Sequence, residues 1–493
     1  MSEEYIAIGI IFGWLVLTVS IGMVASRRGF RRYSSVESWF VAGRSLGLIV
    51  LWLSLGANIY SAYTFLGLPG LAAREGVRVW GITLYGMLSF LIGFLIVPVL
   101  WSQAKKYNWL TIADAFEGLY NSKLLGAFVA VTGSLWCIPY IQLQIQGIGY
   151  IIEVAAYGHV DPLSAKLIAF TLIAVFTVIG GLMSVAFINM LQGAIMLVSI
   201  WVIGVLAPIV AFGGVDKLFS ILGDYVLHQP RGGVFRLTFS TEDILWLVSL
   251  ITIAPLAFWL WPNRIQNVFG ARDIKTVKRN IMLVGLYQIS QIPVILVGLT
   301  AIALYAVGSL QVPVYRKPES DYAFMLVTCK LFPPWIVGIV GAGALAASIS
   351  TAAAILHVVG ALFSRNAYQR IFRPKASGRE LVLLARAFTS IIAVVSLILA
   401  IYAPGVLIYL LLVGYAGIVQ FFPAYVLRVW RRILTKYGAL VGMSTGMITV
   451  AIVKSILGRP FGLYEGFWGL LVNIPLALLV SYIERRVRVG EKY

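Results

Sequence analysis

Long, uninterrupted apolar stretches constrain this chain more than any other feature. Thirteen of them follow one another between residues 5 and 483, each near the ~20 residues that an α-helix needs to cross a bilayer core. In hydrocarbon every backbone N–H and C=O must be satisfied within the fold, so only helices and closed barrels span it. A barrel would show ~10-residue segments of alternating polarity, whereas these stretches are continuous and rich in leucine. The expected fold class is therefore an all-α polytopic membrane protein. Composition agrees: of 493 residues, 60% are hydrophobic and 12% charged, which leaves too little polar chain for a separate soluble domain.

The formal charge of +19 would point to nucleic acid in a soluble protein, but the placement of the charges gives another reading. With the N-terminus outside, 27 of the 38 Lys and Arg fall on the cytoplasmic side, leaving 11 outside. The excess of positive residues inside selects this orientation, with the C-terminus in the cytoplasm. The charge is then expected to meet anionic inner-leaflet lipid rather than nucleic acid. Glu3 and Glu4 precede the first stretch, and Arg27, Arg28, Arg31 and Arg32 follow it. That inverts the pattern of a signal peptide, so the segment is expected to stay as a helix.

Catalytic and nucleotide signatures are missing. Cys137 and Cys329 are far apart, His159, His228 and His357 are scattered, and no GxxxxGK[ST] loop is present, so neither an enzyme nor an ATP-driven pump is expected. All 19 carboxylates fall in loops or near span ends, and Arg264 is counted with the cytoplasmic loop that runs to Arg279. That leaves His357 as the one ionisable side chain expected deep in a span, and no interior arginine. A cation bound at mid-membrane must then be held by neutral oxygens, which transporters obtain from hydroxyls and from the free carbonyls of broken helices. Residues 56–70 (GANIYSAYTFLGLPG) and 341–360 (GAGALAASISTAAAILHVVG) read as two such breaks, although the small residues of the second equally suit close helix packing. Pro255 interrupts the seventh span, 243–262. If the second and seventh spans each open a five-helix half, the odd number turns one half upside down, which makes an inverted repeat. The expected organisation is an extra helix and inner loop in 1–45, a first repeat in 46–213, an outer loop in 214–242, a second repeat in 243–427 and two terminal helices with a short tail in 428–493.

For a solute, the second span offers Tyr60, Ser61, Tyr63 and Thr64, and the fourth offers Gln142, Gln144 and Gln146. Gln142 and Gln146 are four apart and share a helix face. They serve either as hydrogen-bond glue between helices or as ligands for a small polar or anionic solute, which the positive end of a broken helix would attract.

Five segments taken in order carry a resemblance: AGRSLG (42–47), LGLPG (66–70), GGLMSVAFINMLQG (180–193), WPNRIQNVFGARD (261–273) and RVWRRILTKYGALVG (428–442). Together they resemble the sodium:solute symporter family of proline, pantothenate, monocarboxylate and sugar transporters, over nearly the whole chain. NIYSAYTFLGLPG and YIQLQIQGIG are similar to its monocarboxylate-permease branch. The resemblance implies a leucine-transporter-type fold, an inverted five-plus-five repeat with one helix before it and two after. It also implies a sodium site built from Ala57, Tyr60, Ala347, Ser350 and Thr351, and a solute site that includes Ser61, Tyr63, Thr64, Gln142 and Gln146. Two positions depart from the family pattern. Ile59 stands where several relatives carry Asp, and Asn189 replaces the Asp of a Thr-Asp signature that assists cation exit.

The implied function is sodium-coupled symport of a monocarboxylate or similar small organic anion by a multi-pass protein of the cell membrane, with a monomer as the transport unit. Proton-coupled or uncoupled transport of an amino acid, pantothenate or sugar is the alternative, with His357 as either a proton site or a structural residue. A non-transporting receptor or passive channel is the alternative of another class, and the short tail after the last span speaks against it.

Overall fold

The computed structural model describes residues 3–32, 36–179, 182–229 and 234–490; Gly180 and Gly181 of the 180–193 motif lie outside the described residues. Among those residues the regular structure is helical, apart from isolated bridges of Leu46 to Ala271 and Gly76 to Arg236. Ten helices are long and apolar enough to cross a membrane, and an eleventh span is a bent pair, Leu48–Ile59 and Tyr63–Glu75, whose halves meet at 55°. Tyr5–Thr18 and Pro162–Ala174 are shorter apolar helices.

The first break lies within the 56–70 stretch. Leu48–Ile59 ends because Tyr60 turns extended, with φ −84° and ψ 125°. The Ser61 hydroxyl then accepts the Tyr63 N–H at 3.2 Å, the way short polar side chains draw backbone away from a helix and cap a new one. A second break divides the seventh span, and it does not fall at Pro255. Thr241–Phe258 contains that proline and runs past it. The helix stops at Trp259, Trp261 turns extended, and Pro262 opens Pro262–Phe269 with no N–H to leave unsatisfied. This corrects the assignment of residues 263 onward to a cytoplasmic loop, because all eight residues of Pro262–Phe269 are buried.

The other expected break is absent. Pro334–Ala361 is one continuous helix that runs on as the wider turns of Leu362–Phe372, and its most apolar window is 94% buried. Its small residues serve close packing: a Cβ on Gly343 would stand 2.7 Å from Ser199 Oγ. The same device seats Gln291–Ala306 on the second half of the first broken span, where a Cβ on Gly298 would fall 2.1 Å from Pro69 O. This leaves one central helix lying beside two broken ones.

Near the end of the first broken span, Asp321 is fully buried beside Gly70. Its Oδ2 accepts the Leu407 N–H at 3.0 Å, at the start of Leu407–Ile418, while its Oδ1 has no partner. Burial pushes the carboxyl up to about 7 against the pull of Leu407 N–H, Arg74 and Lys317. Between the unfolded carboxylate range, ~4, and this value the folded chain holds a proton that the unfolded chain has lost. The Asp321 contribution to stability is therefore greatest at low pH and falls as pH rises to about 7, by on the order of 1.4 kcal/mol per unit. Asp321→Asn, whose amide oxygen still accepts the Leu407 N–H, should remove that slope. Melting temperatures of the purified protein from pH 5 to 8 measure it, and equal slopes in variant and wild type would contradict the assignment.

Candidate functional site

A broken helix leaves carbonyls without partners on one side of the break and N–H groups without partners on the other. At the first break both sets are met by side chains from distant helices. Gln144 Oε1 accepts the Ala62 N–H at 3.0 Å. On the carbonyl side, Thr351 Oγ1 lies 3.0 Å from Ala57 O and 3.3 Å from Tyr60 O, and Ser350 Oγ lies 3.1 Å from Ala57 O and 2.9 Å from Ala347 O. The structure thus brings together the five residues Ala57, Tyr60, Ala347, Ser350 and Thr351, all of them buried.

Each hydroxyl has a single proton, so these five oxygens share two hydrogens and are rich in lone pairs. That donor set suits a hard cation. Such ions hold oxygens at roughly 2.3–2.6 Å, which places two oxygens at right angles ~3.3–3.7 Å apart; the spacings here run from 2.9 to 3.3 Å. Slight expansion, with the two O–H bonds rotated outward and their protons retained, would seat an ion among the lone pairs.

The second break is met differently. Arg264, 1% exposed, donates from Nη1 to Phe258 O at 2.9 Å, a carbonyl freed where Thr241–Phe258 ends, and to Tyr415 Oη at 2.7 Å. Its guanidinium lies 4.2 Å from the Phe258 ring centre and within 5.7 Å of those of Trp261 and Tyr415. The two breaks adjoin: the Tyr140 ring packs 5.1 Å from Trp261, and the Tyr140 hydroxyl donates to Ser61 Oγ at 3.2 Å. An interior arginine therefore exists, which corrects its expected absence and removes Arg264 from the cytoplasmic tally. His357 is accordingly not the single deep ionisable group. The sequence concealed this because PNRIQN is polar enough to read as loop; its signal was the proline after two tryptophans, a helix start.

The other expected residues divide. Ser61, Tyr63 and Thr64 lie at the first break, where the Tyr63 hydroxyl accepts from Gln291 Nε2 at 3.1 Å and Thr64 Oγ1 has no partner. Gln142 and Gln146 turn elsewhere: their amides donate to Ala403 O at 2.8 Å and Gly405 O at 3.1 Å. Of the three glutamines, Gln144 reaches the break. Asn189 is buried with Nδ2 unpartnered, one turn before Gly193, whose missing side chain admits Leu53 O. His357 packs against Phe40 and lines a cavity with Phe170, Arg386 and Thr389; none of the five oxygen-cluster residues lines it. Around the two breaks, Asn58, Thr64, Asn263 and Gln266 are buried with side-chain atoms that lack partners. Buried polar atoms are normally paired, so these four side chains leave donors and acceptors at the breaks open to a ligand or to water.

A helical bundle with two adjoining broken spans beside a continuous one is the architecture of a secondary transporter. Residues 39–446 match the sodium:solute symporter family, and the chain belongs to that family: it is a multi-pass membrane transporter rather than an enzyme, from a family whose coupled ion is sodium. It is 31% identical over 476 residues to the uncharacterized symporter YodF of Bacillus subtilis, covering 95% of this chain and 91% of that one. It is 26% identical to the monocarboxylate transport permease protein of Rhizobium johnstonii, covering 96% of each. To the osmoregulated proline transporter OpuE of Bacillus subtilis it is 27% identical, covering 98% and 95%. Its fold is similar to that of a Na+-coupled sialic acid symporter solved in a substrate-bound outward-open state, with TM-score 0.76 and 16% identity, covering 97% and 98%; the fold is thus of the leucine-transporter type.

Replacing Ser350 or Thr351 by Ala deletes one lone-pair donor and leaves Ala57 O short of a partner. Each variant should insert normally yet need roughly 5- to 150-fold more sodium for half-maximal transport, the equivalent of ~1–3 kcal/mol. Sodium titration of uptake reads this, and unchanged sodium dependence in both variants would contradict it.

Proposed function

We propose that this protein is a sodium-coupled symporter of a small organic anion, with a monocarboxylate as the best match. The five-oxygen cluster between the first broken span and Pro334–Ala361 is the observation that carries the cation half: two hydroxyl protons join the helices there and leave surplus lone pairs, so an ion bound among them ties the helices' relative position to its own presence. The ion and a solute at the adjoining breaks then favour the same arrangement of the two helices, which is thermodynamic coupling.

Charge at one end of the bundle supports an anionic solute. Arg74, Arg78, Arg316, Lys317, Lys454 and Arg459 line two adjoining cavities that hold only Glu75 and Glu465 as acids among the described residues. Six of the 11 basic residues that the charge asymmetry assigns to the outside converge here, from three separate connections between spans. A positive vestibule raises the local concentration of anions and speeds their capture. This convergence also supports an outside N-terminus, with the vestibule facing the medium. Asn189 serves in this reading as a neutral way-station for the departing cation.

In proteoliposomes, an inward sodium gradient should accumulate radiolabelled pyruvate above equilibrium, and collapsing that gradient should abolish accumulation. Accumulation that follows a pH gradient and ignores sodium would overturn the proposal. His357→Gln should leave sodium-driven accumulation largely intact, since its side chain lines a cavity apart from the oxygen cluster; its loss, with insertion normal and downhill exchange retained, would establish proton coupling instead. Asn189→Asp should change turnover more than apparent sodium affinity, because it adds a charge on the exit side without altering the five oxygens. An effect on solute selectivity alone would remove Asn189 from the cation path.

A further inference from the structure

We infer that Arg264 is the residue that recognises the carboxylate of the transported solute. The inference rests on the symport reading and names the group that selects the solute. Its basis is a charge without a counter-charge. The buried carboxylates among the described residues are Glu75, Asp114, Asp243, Asp321 and Glu465. Glu75 is held by Arg74 and Tyr409, Asp114 by Arg365 and Asn366, Asp243 by Arg78 and Ser240, Asp321 by Leu407 N–H, and Glu465 by Lys454 and Arg459. None of them pairs with Arg264. A guanidinium cannot discard its proton to escape burial, and a charge within a membrane bundle is costly enough to mark function by default.

The protein meets that cost only in part. The hydrogen bonds to Phe258 O and Tyr415 Oη leave from Nη1, the Tyr140 hydroxyl stands against the guanidinium, and the surrounding Phe258, Trp261 and Tyr415 rings offer their π faces. Nε is buried with no acceptor. A planar guanidinium with an open nitrogen edge is suited to the two oxygens of a carboxylate. Had the role been only to satisfy Phe258 O, a neutral amide donor would have met it without the charge. The position adds a second argument: Trp261 and Tyr140 link Arg264 to Ser61, which follows the cation-facing Tyr60 carbonyl. Solute anion and coupled cation would thus be bound by neighbouring segments, each offsetting the other's charge. The same inventory favours a solute without an amine: among the described residues no buried carboxylate pairs with Arg264, so an ammonium group would have only neutral oxygens to meet it and would compete for them with the coupled cation. The class selected is a carboxylate without an amine.

The test compares propionate with propionamide, which match in shape and differ in charge. The purified protein is melted in sodium chloride and in potassium chloride with each compound, and pyruvate and proline extend the series. In the wild type, propionate and pyruvate should raise the melting temperature in sodium while propionamide and proline do not. Arg264→Gln should keep the rise produced by sodium alone, which shows that it is folded, and should lose roughly 10- to 100-fold in apparent carboxylate affinity. Should that variant not fold, Arg264→Lys keeps the charge without the planar fork and should still bind carboxylate several-fold more weakly. Undiminished carboxylate binding in a folded Arg264 variant, or stabilisation of the wild type by proline or propionamide and not by the carboxylates, would overturn the inference. Carboxylate binding that needs Arg264 but not sodium would uphold it and overturn the sodium-coupled reading, so the two fail separately.

Discussion

Backbone hydrogen bonds that a broken helix cannot make for itself organise the centre of this protein. In a bilayer no solvent is at hand to satisfy them, and each unmet group costs several kcal/mol. The first break is tolerated because Gln144 takes an orphan N–H and the Ser350 and Thr351 hydroxyls meet the orphan carbonyls. Those hydroxyls supply fewer protons than the lone pairs around them can accept. In the proposed reading, the compensation that makes the break possible is therefore also what suits it to a cation, so that structure and function share one set of atoms.

The second break follows the same logic with a different group. Phe258 O is capped by Arg264, so the compensation here carries a full positive charge into the core. One break gathers lone pairs and the other presents a cation, and Tyr140 and Trp261 connect them. In the proposed reading, a cation bound at the first break and Arg264 at the second both favour a solute with one negative charge, and the basic vestibule at the end of the bundle favours the same sign. The continuous helix Pro334–Ala361 has to be rigid for this to work, since it carries both hydroxyls at fixed spacing while its small residues let neighbouring helices approach.

Much of this was legible in the sequence. Membrane class follows from apolar length, because the thickness of hydrocarbon sets the length of a span. The first break shows in small and hydroxyl residues where a lipid-facing helix would carry leucine. The resemblance pointed to five oxygen-donating residues from two distant segments, and tertiary structure brought those five together. Gln142 and Gln146 show where linear reasoning ends: sharing a helix face says that two amides point the same way, not what stands opposite. What stands opposite is the 399–405 turn, so they bind backbone there while Gln144 reaches the break.

The sequence by itself determined that the chain is a helical membrane protein with an interrupted second span and neutral oxygens available for a cation, since each follows from residue type and local spacing. Only the tertiary structure decided that 341–360 is unbroken and that 262–269 is a buried half-helix. Burial depends on what packs against a segment, and polarity read along one dimension cannot report it. The same reason hid Arg264: a guanidinium counts as a loop residue until Phe258, Trp261 and Tyr415 close around it.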